Sequence, residues 1–479
     1  MLFCTWDYAK FFALVFAVYW AMPWPRARVG LLLGVSLYFY ACWNRWLALL
    51  IASTSLMDYA VGLGLDASRS PRARKALLAL SILANLGLLA VFKYADFFLA
   101  SFEAALASCG VRAPMPLLRL VLPVGISFYT FEAISYTVDV YRRRIRAERD
   151  PTHFLLFITF FPHLVAGPIV RARDFLPQVR RPKRWDWARA ELGVGLFLMG
   201  LFKKLAIADR MALYADPVFA DPGAYGSHAA WVATVAYAIQ IYCDFSGYTD
   251  MALGSAHLLG YKLAPNFRMP YLAASVGEFW RRWHISLSTW LRDYLFIPLG
   301  GSRGGRWTTA RNLLMTMTLG GLWHGASGTF LTWGFLHGLL LVVHRGFRAF
   351  AASRPMLDRL LKTAGGTALR VGLTFLAVAV LWVVFRSSSF DGSSFDDAAT
   401  ILRRLFVPTG GLPTPLPTGA FWVLLIVVAA AHALGSRPGW RVISTRLPAP
   451  ALGLGYAAAL TLALLLAPDA GSAFIYFQF

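Results

Sequence analysis

Residues 364–386 read AGGTALRVGLTFLAVAVLWVVFR, a stretch as long as the hydrocarbon core of a membrane is thick. A helix needs about 20 predominantly apolar residues to cross that core. Backbone facing lipid must satisfy its own hydrogen bonds, so such a run is a helix rather than an open strand. Runs of the same kind lie at 77–100, 418–434 and 450–468. Across 479 residues the chain is 58% hydrophobic and 15% charged, with a mean hydropathy of +0.56. A soluble domain carries about 25% charged residues. The alternation of a membrane barrel is absent. The fold class is therefore an all-α polytopic membrane protein.

Outward from 364–386, candidate spans fall at 8–22, 29–43, 46–65, 77–100, 117–141, 190–208, 230–256, 311–325, 328–346, 364–386, 418–434 and 450–468, about 11–12 transmembrane helices. Two further apolar stretches, 152–170 and 275–299, are broken by prolines or charges and read as re-entrant or interfacial helices. The first span has no basic leader and no small-residue cleavage site, so it is expected to be a retained helix. Basic residues cluster in alternate connections: Arg142, Arg143, Arg144, Arg146 and Arg149, then the tract 171–189, then Arg345, Arg348, Arg354, Arg359 and Lys362. That bias places these connections in the cytoplasm and the N-terminus outside, in a cell (inner) membrane. The Ser/Gly/Pro-rich stretch 387–417 is expected as an outer loop.

Lys+Arg 46 against Asp+Glu 24 leaves a formal charge of +22. No basic soluble domain carries that charge, so nucleic acid is excluded as a partner and the bilayer is the partner implied. Cys4, Cys42, Cys109 and Cys243 are dispersed, without metal-ligand spacing or an expected disulfide. No internal repeat or linker stands out. The expectation is a single membrane domain over 1–479, with no metal and no bound cofactor, whose chemistry comes from side chains at membrane depth.

Ionisable side chains at that depth are costly and point to function. Three stretches carry them. In LGGLWHGASGTFLTWGFLHG (319–338), His324 ends a short apolar stretch beside several glycines. It is either a buried histidine bonded to a neighbouring helix or a general base, since imidazole can accept a hydroxyl proton near neutral pH. His337 reads as a packing or supporting group. In VGEFWRRWHISLSTWLRDYLFIPLGG (276–301), Trp280, Arg281, Arg282, Trp283 and His284 mix aromatic and basic character. That mixture suits an interfacial helix with Trp anchors, or a basic vestibule for an anionic acyl carrier with His284 facing the site. Ser302, in GGSRG, lacks the strand–turn–helix setting of a nucleophile elbow. In QIYCDFSGYTDMALG (240–254), Asp244 and Asp250 lie inside a span. They form a proton or cation path, or they are buried partners of backbone or arginines.

The stretches FWRRWHISLSTWLRDYLFIPLGG and GLWHGA resemble the two signatures of membrane-bound O-acyltransferases. PVGISFYTFEAISYTVDVYR (123–142), FFPHLVAGPIVR (160–171), YCDFSGYTDMALG (242–254) and FIYFQF (474–479) are similar to the bacterial alginate O-acetyltransferase branch of that family. The motif-bearing core runs over about 120–345. The resemblance implies helices around a central tunnel, with His324 as the catalytic histidine and His284 at the second signature position, where many eukaryotic relatives have Asn. It also implies acyl transfer, acetyl in this branch, from a cytoplasmic thioester on coenzyme A or an acyl carrier protein. The acceptor would be the hydroxyls of an extracytoplasmic polysaccharide, often reached through an esterase-like (SGNH-type) partner. D-alanyl transfer to teichoic acid is the alternative within the family. A proton-coupled transporter using Asp244, Asp250 and His324 is the alternative outside it.

Overall fold

A computed structural model describes residues 2–387, 394–437, 447–468 and 474–475. Residues 388–393 of the expected outer loop, and 476–479 of the closing motif, lie outside the described residues. The described residues are helical, with no strand among them beyond a single bridge between Tyr225 and Leu412. Among the described residues four helices are by themselves long and apolar enough to cross a membrane: Arg45–Ala67, Pro71–Ser108, Gly328–Ala352 and Ala364–Arg386. Two shorter apolar helices are Gly419–Gly435 and Ala449–Leu465. Helices with buried faces need not be apolar all round. That is why the helix covering the expected span 230–256 is 32 residues long yet carries Asp244 and Asp250.

The chain packs as two compact units, residues 1–197 with 251–264, and residues 198–250 with 265–479. The first unit contains α1 (Trp6–Ala21), α2 (Pro25–Ala41), α3 (Arg45–Ala67), α4 (Pro71–Leu89), α5 (Ala95–Ser108), α6 (Ile126–Tyr141), α7 (Pro151–Thr159), α8 (Phe161–Leu164) and α9 (Ala172–Arg180). Prolines at the first turn and side-chain caps from Asn44, Ser70 and Asp150 set several of these helix starts. The expected span 117–141 is helical only from Ile126. Gly125 precedes it with φ +75°, and a β-carbon there would stand 2.3 Å from the Leu164 carbonyl oxygen, so backbone contact ends the helix. The interrupted stretch 152–170 breaks as expected into α7, α8 and irregular chain. Two of the motifs meet inside this unit. The Glu132 carboxylate accepts the Val170 N–H at 2.7 Å and lies 3.3 Å from His163 Nδ1.

Residues 198–202 of α10 (Trp187–Phe202) begin the second unit, followed by a π-turn over Lys203–Ala208 and α11 (Asp209–Ala220). It then takes α12 (Ser227–Leu258) as far as Asp250, α13 (Val276–Arg282), α14 (Ile285–Leu291), α15 (Gly305–His324), α16 (Gly328–Ala352), α17 (Pro355–Lys362), α18 (Ala364–Arg386), α19 (Ser394–Phe406) and α20 (Gly419–Gly435). The polar stretch 275–299 is two short helices and a π-turn, not a span. The stretch 387–417 is not all loop. Within it α19 buries Ile401 and Leu405 against Ala230 and Val383, an amphipathic pattern masked by the surrounding Ser, Gly and Pro.

Candidate active site

His324 is the last residue of α15 and is buried. Its depth follows from how closely α15 and α16 approach. A β-carbon on Gly334 would stand 2.3 Å from the Met317 carbonyl oxygen, and one on Gly321 would stand 2.2 Å from that of Phe330. The two backbones therefore touch, as small residues permit between membrane helices. The connection is only three residues long, and Ser327 caps α16 by accepting the Thr329 N–H at 3.2 Å. His324 is thus fixed against the start of the following helix.

Around it the surroundings are aromatic. The His324 ring centroid lies 5.0 Å from Trp323, 5.3 Å from Trp333 at 89°, and 5.3 Å from Phe385 at 78°. The His284 ring lies 6.0 Å from the same Trp323 and 4.8 Å from Phe245. Trp323 is flanked by both signature histidines. His337 lies 4.8 Å from Trp333 and 5.1 Å from Trp280. The Trp280 Nε1–H donates to His337 Nδ1 at 3.3 Å, which leaves the proton of the neutral ring on Nε2. All three histidines are at most 6% exposed. The sequence separates them by 40 and 13 positions, and the structure joins them through two tryptophans.

The candidate donor-entrance residues divide. Arg281 is exposed. Arg282 pairs with Glu278 at 2.6 Å, one helical turn away. Trp283 is buried among Phe267, Phe279 and Trp382. Trp280 serves His337. Ser302 is exposed in a turn.

Asp244 and Asp250 are held by lysines rather than by arginines. Lys204 Nζ lies 2.8 Å from both Asp209 and Asp244, and all three are buried. The other Asp244 oxygen accepts the Ile475 N–H at 2.7 Å. Asp250 pairs with Lys203 at 2.6 Å. A buried charge is tolerable when paired and hydrogen-bonded, and this network is. Lys203 and Lys204 were missed in the sequence, although adjacent cations inside an apolar segment are a signal that could have found them. Trp323 and Trp333 gave no such signal, because tryptophans in such runs ordinarily pack or anchor. Among the described residues no three His, Cys, Asp or Glu side chains gather as a metal-binding group.

Residues 114–383 match the model of the membrane-bound O-acyltransferase family. A relative in Azotobacter vinelandii, named "Probable alginate O-acetylase AlgI", is 43% identical over 80% of this chain and 74% of its own length. A peptidoglycan O-acetyltransferase of Helicobacter pylori is 37% identical over 75% of this chain and 71% of its own. A teichoic acid D-alanyltransferase of Bacillus subtilis is 27% identical over 57% of this chain and 70% of its own.

Proposed function

This chain belongs to the membrane-bound O-acyltransferase family and is an acyltransferase, and on that premise we propose that it moves an acetyl group toward the hydroxyls of an extracytoplasmic polysaccharide, as in alginate O-acetylation. The observation that carries the reading is the burial of His324 in an aromatic shell shared, through Trp323, with His284. A dry setting limits loss of a thioester to hydrolysis.

In the proposed reaction His324 takes the proton of the acceptor hydroxyl. The oxygen attacks the thioester carbonyl, a C–O bond forms, the C–S bond breaks, and the departing thiolate recovers the proton from the imidazolium. The donor is an acetyl thioester on coenzyme A or an acyl carrier protein, arriving from the cytoplasm. Arg281, exposed and without an ion-pair partner among the described residues, is the residue offered to its phosphates. His284 orients the donor beside Trp323. The acceptor hydroxyl in this step is that of an esterase-like partner outside the inner membrane, with the N-terminus of this chain on that side. A polysaccharide hydroxyl then attacks the partner's ester, and the partner's hydroxyl is released.

Two observations favour acetyl over D-alanyl transfer: relatives named for O-acetyl transfer share more identity and cover more of the chain. The pairing of Asp244 and Asp250 with lysines accounts for both carboxylates without a proton path. Labelled acetyl-CoA supplied to the protein in vesicles tests the reading. Thioester loss coupled to acetylation of a hydroxyl acceptor is expected. Uptake of label with the thioester intact would replace it with transport.

A further inference from the structure

His284 has φ +41° and ψ +56°, a left-handed conformation that a residue with a β-carbon seldom adopts. Histidine and asparagine are among the side chains that tolerate it best. Such a conformation persists where its surroundings over-determine it. Here the surroundings include one buried side chain and its backbone. Asn266 is fully buried. Its carbonyl oxygen accepts the Ile285 N–H at 2.9 Å, and its side-chain oxygen accepts the Ser286 N–H at 3.3 Å and the Ser286 hydroxyl at 2.6 Å. The Asn266 amide in turn donates to Thr249 Oγ1, on α12, at 3.5 Å. Two residues on, the Arg268 N–H donates to the Arg282 carbonyl at 2.9 Å. Residues 266–268 and 282–286 thus embrace the turn that aims the imidazole.

We propose that Asn266 is a positioning residue for His284, holding the left-handed turn that turns the imidazole toward Trp323 and Phe245. The catalytic half of this inference rests on the role given to His284 above, whereas the clamp itself does not.

Two measurements on the full chain in detergent test it. The first is hydrogen exchange over residues 283–290. Asn266→Ala, and Ser286→Ala as the milder variant, should raise exchange there roughly fivefold, the worth of one hydrogen bond. Residues 313–345 should stay unchanged, and Asn266→Asp, which keeps the acceptor oxygen, should restore protection. Unaltered exchange in Ser286→Ala and Asn266→Ala overturns the clamp. The second is a double-mutant cycle in kcat. Asn266→Ala should lower kcat more than it raises KM, and it should cost nothing further in a His284→Ala background. Losses that multiply would show that Asn266 acts elsewhere and would overturn the positioning role. If His284→Ala alone is silent while exchange responds, the clamp stands and the proposed role of His284 in acyl transfer falls.

Discussion

A hydroxyl is a poor nucleophile until a base takes its proton, so the reaction should depend most on one imidazole. His324→Ala should lower turnover by about 10²–10⁴-fold in protein that remains inserted and thermally stable in detergent. Near-normal turnover in such a sample would remove His324 from the chemistry. His284 carries a second constraint, because its backbone is left-handed. His284→Asn should keep the melting temperature, since Asn accepts that conformation. His284→Val should lower it by the equivalent of about 1–2 kcal/mol, and a thermal melt compares the two. The candidate His324 was legible in the sequence because a titratable ring in an apolar run is out of place, and His284 because of the basic, aromatic stretch that carries it. Asn266 was not. It stands twenty residues from Ser286, in an irregular stretch, and an asparagine in a loop looks like ordinary turn chemistry.

At the scale of elements, the contact between α15 and α16 decides how deep the site lies. Gly334→Val should abolish a folded yield, because its β-carbon would overlap the Met317 carbonyl and α15 could not move aside without displacing His324. Gly372, on α18, meets nothing within 4 Å of an added β-carbon. Gly372→Ala should therefore be neutral or stabilising by up to about 1 kcal/mol. Size-exclusion profiles and melts of the two variants check this, and equal behaviour would mean the hairpin is looser than described. Helix α18 was read from sequence with the bounds the structure gives it, 364–386, since its apolar run begins and ends abruptly. Helix α6 was overextended to residue 117, because hydropathy does not register the backbone contact at Gly125. Helix α19 was missed because its apolar face is only a few residues wide.

For the whole molecule, the sidedness of charge is the strongest organising signal, and it yields a direct test. Cysteine placed at Ser353, which is exposed, should be protected from an impermeant reagent applied to intact cells. Gly410→Cys, an open position in the other connection, should be labelled. Labelling at 353 from outside would invert the proposed orientation. Charge also acts inside the second unit. Lys204→Met would leave Asp209 and Asp244 buried without their cation, a loss of about 3–5 kcal/mol. Adding Asp209→Asn and Asp244→Asn should recover part of it, as read by melting temperature. Composition made the membrane class legible at once. It could not show that Asp244 and Asp250 each had a lysine partner, because that depends on a π-turn at Lys203–Ala208 that no periodicity announces.

The same network sets a schedule for the chain as it is made. Asp244 receives its backbone donor from Ile475, 231 residues later. At a synthesis rate of about 5–20 residues per second, roughly 10–50 s separate the emergence of the two. Throughout that interval the carboxylate is already inside its helix while the amide it will accept does not yet exist. The second unit can insert piece by piece, but its charge cluster closes only when the last described residues arrive. The ribosome therefore has to pass Ile475 before this knot can be tied.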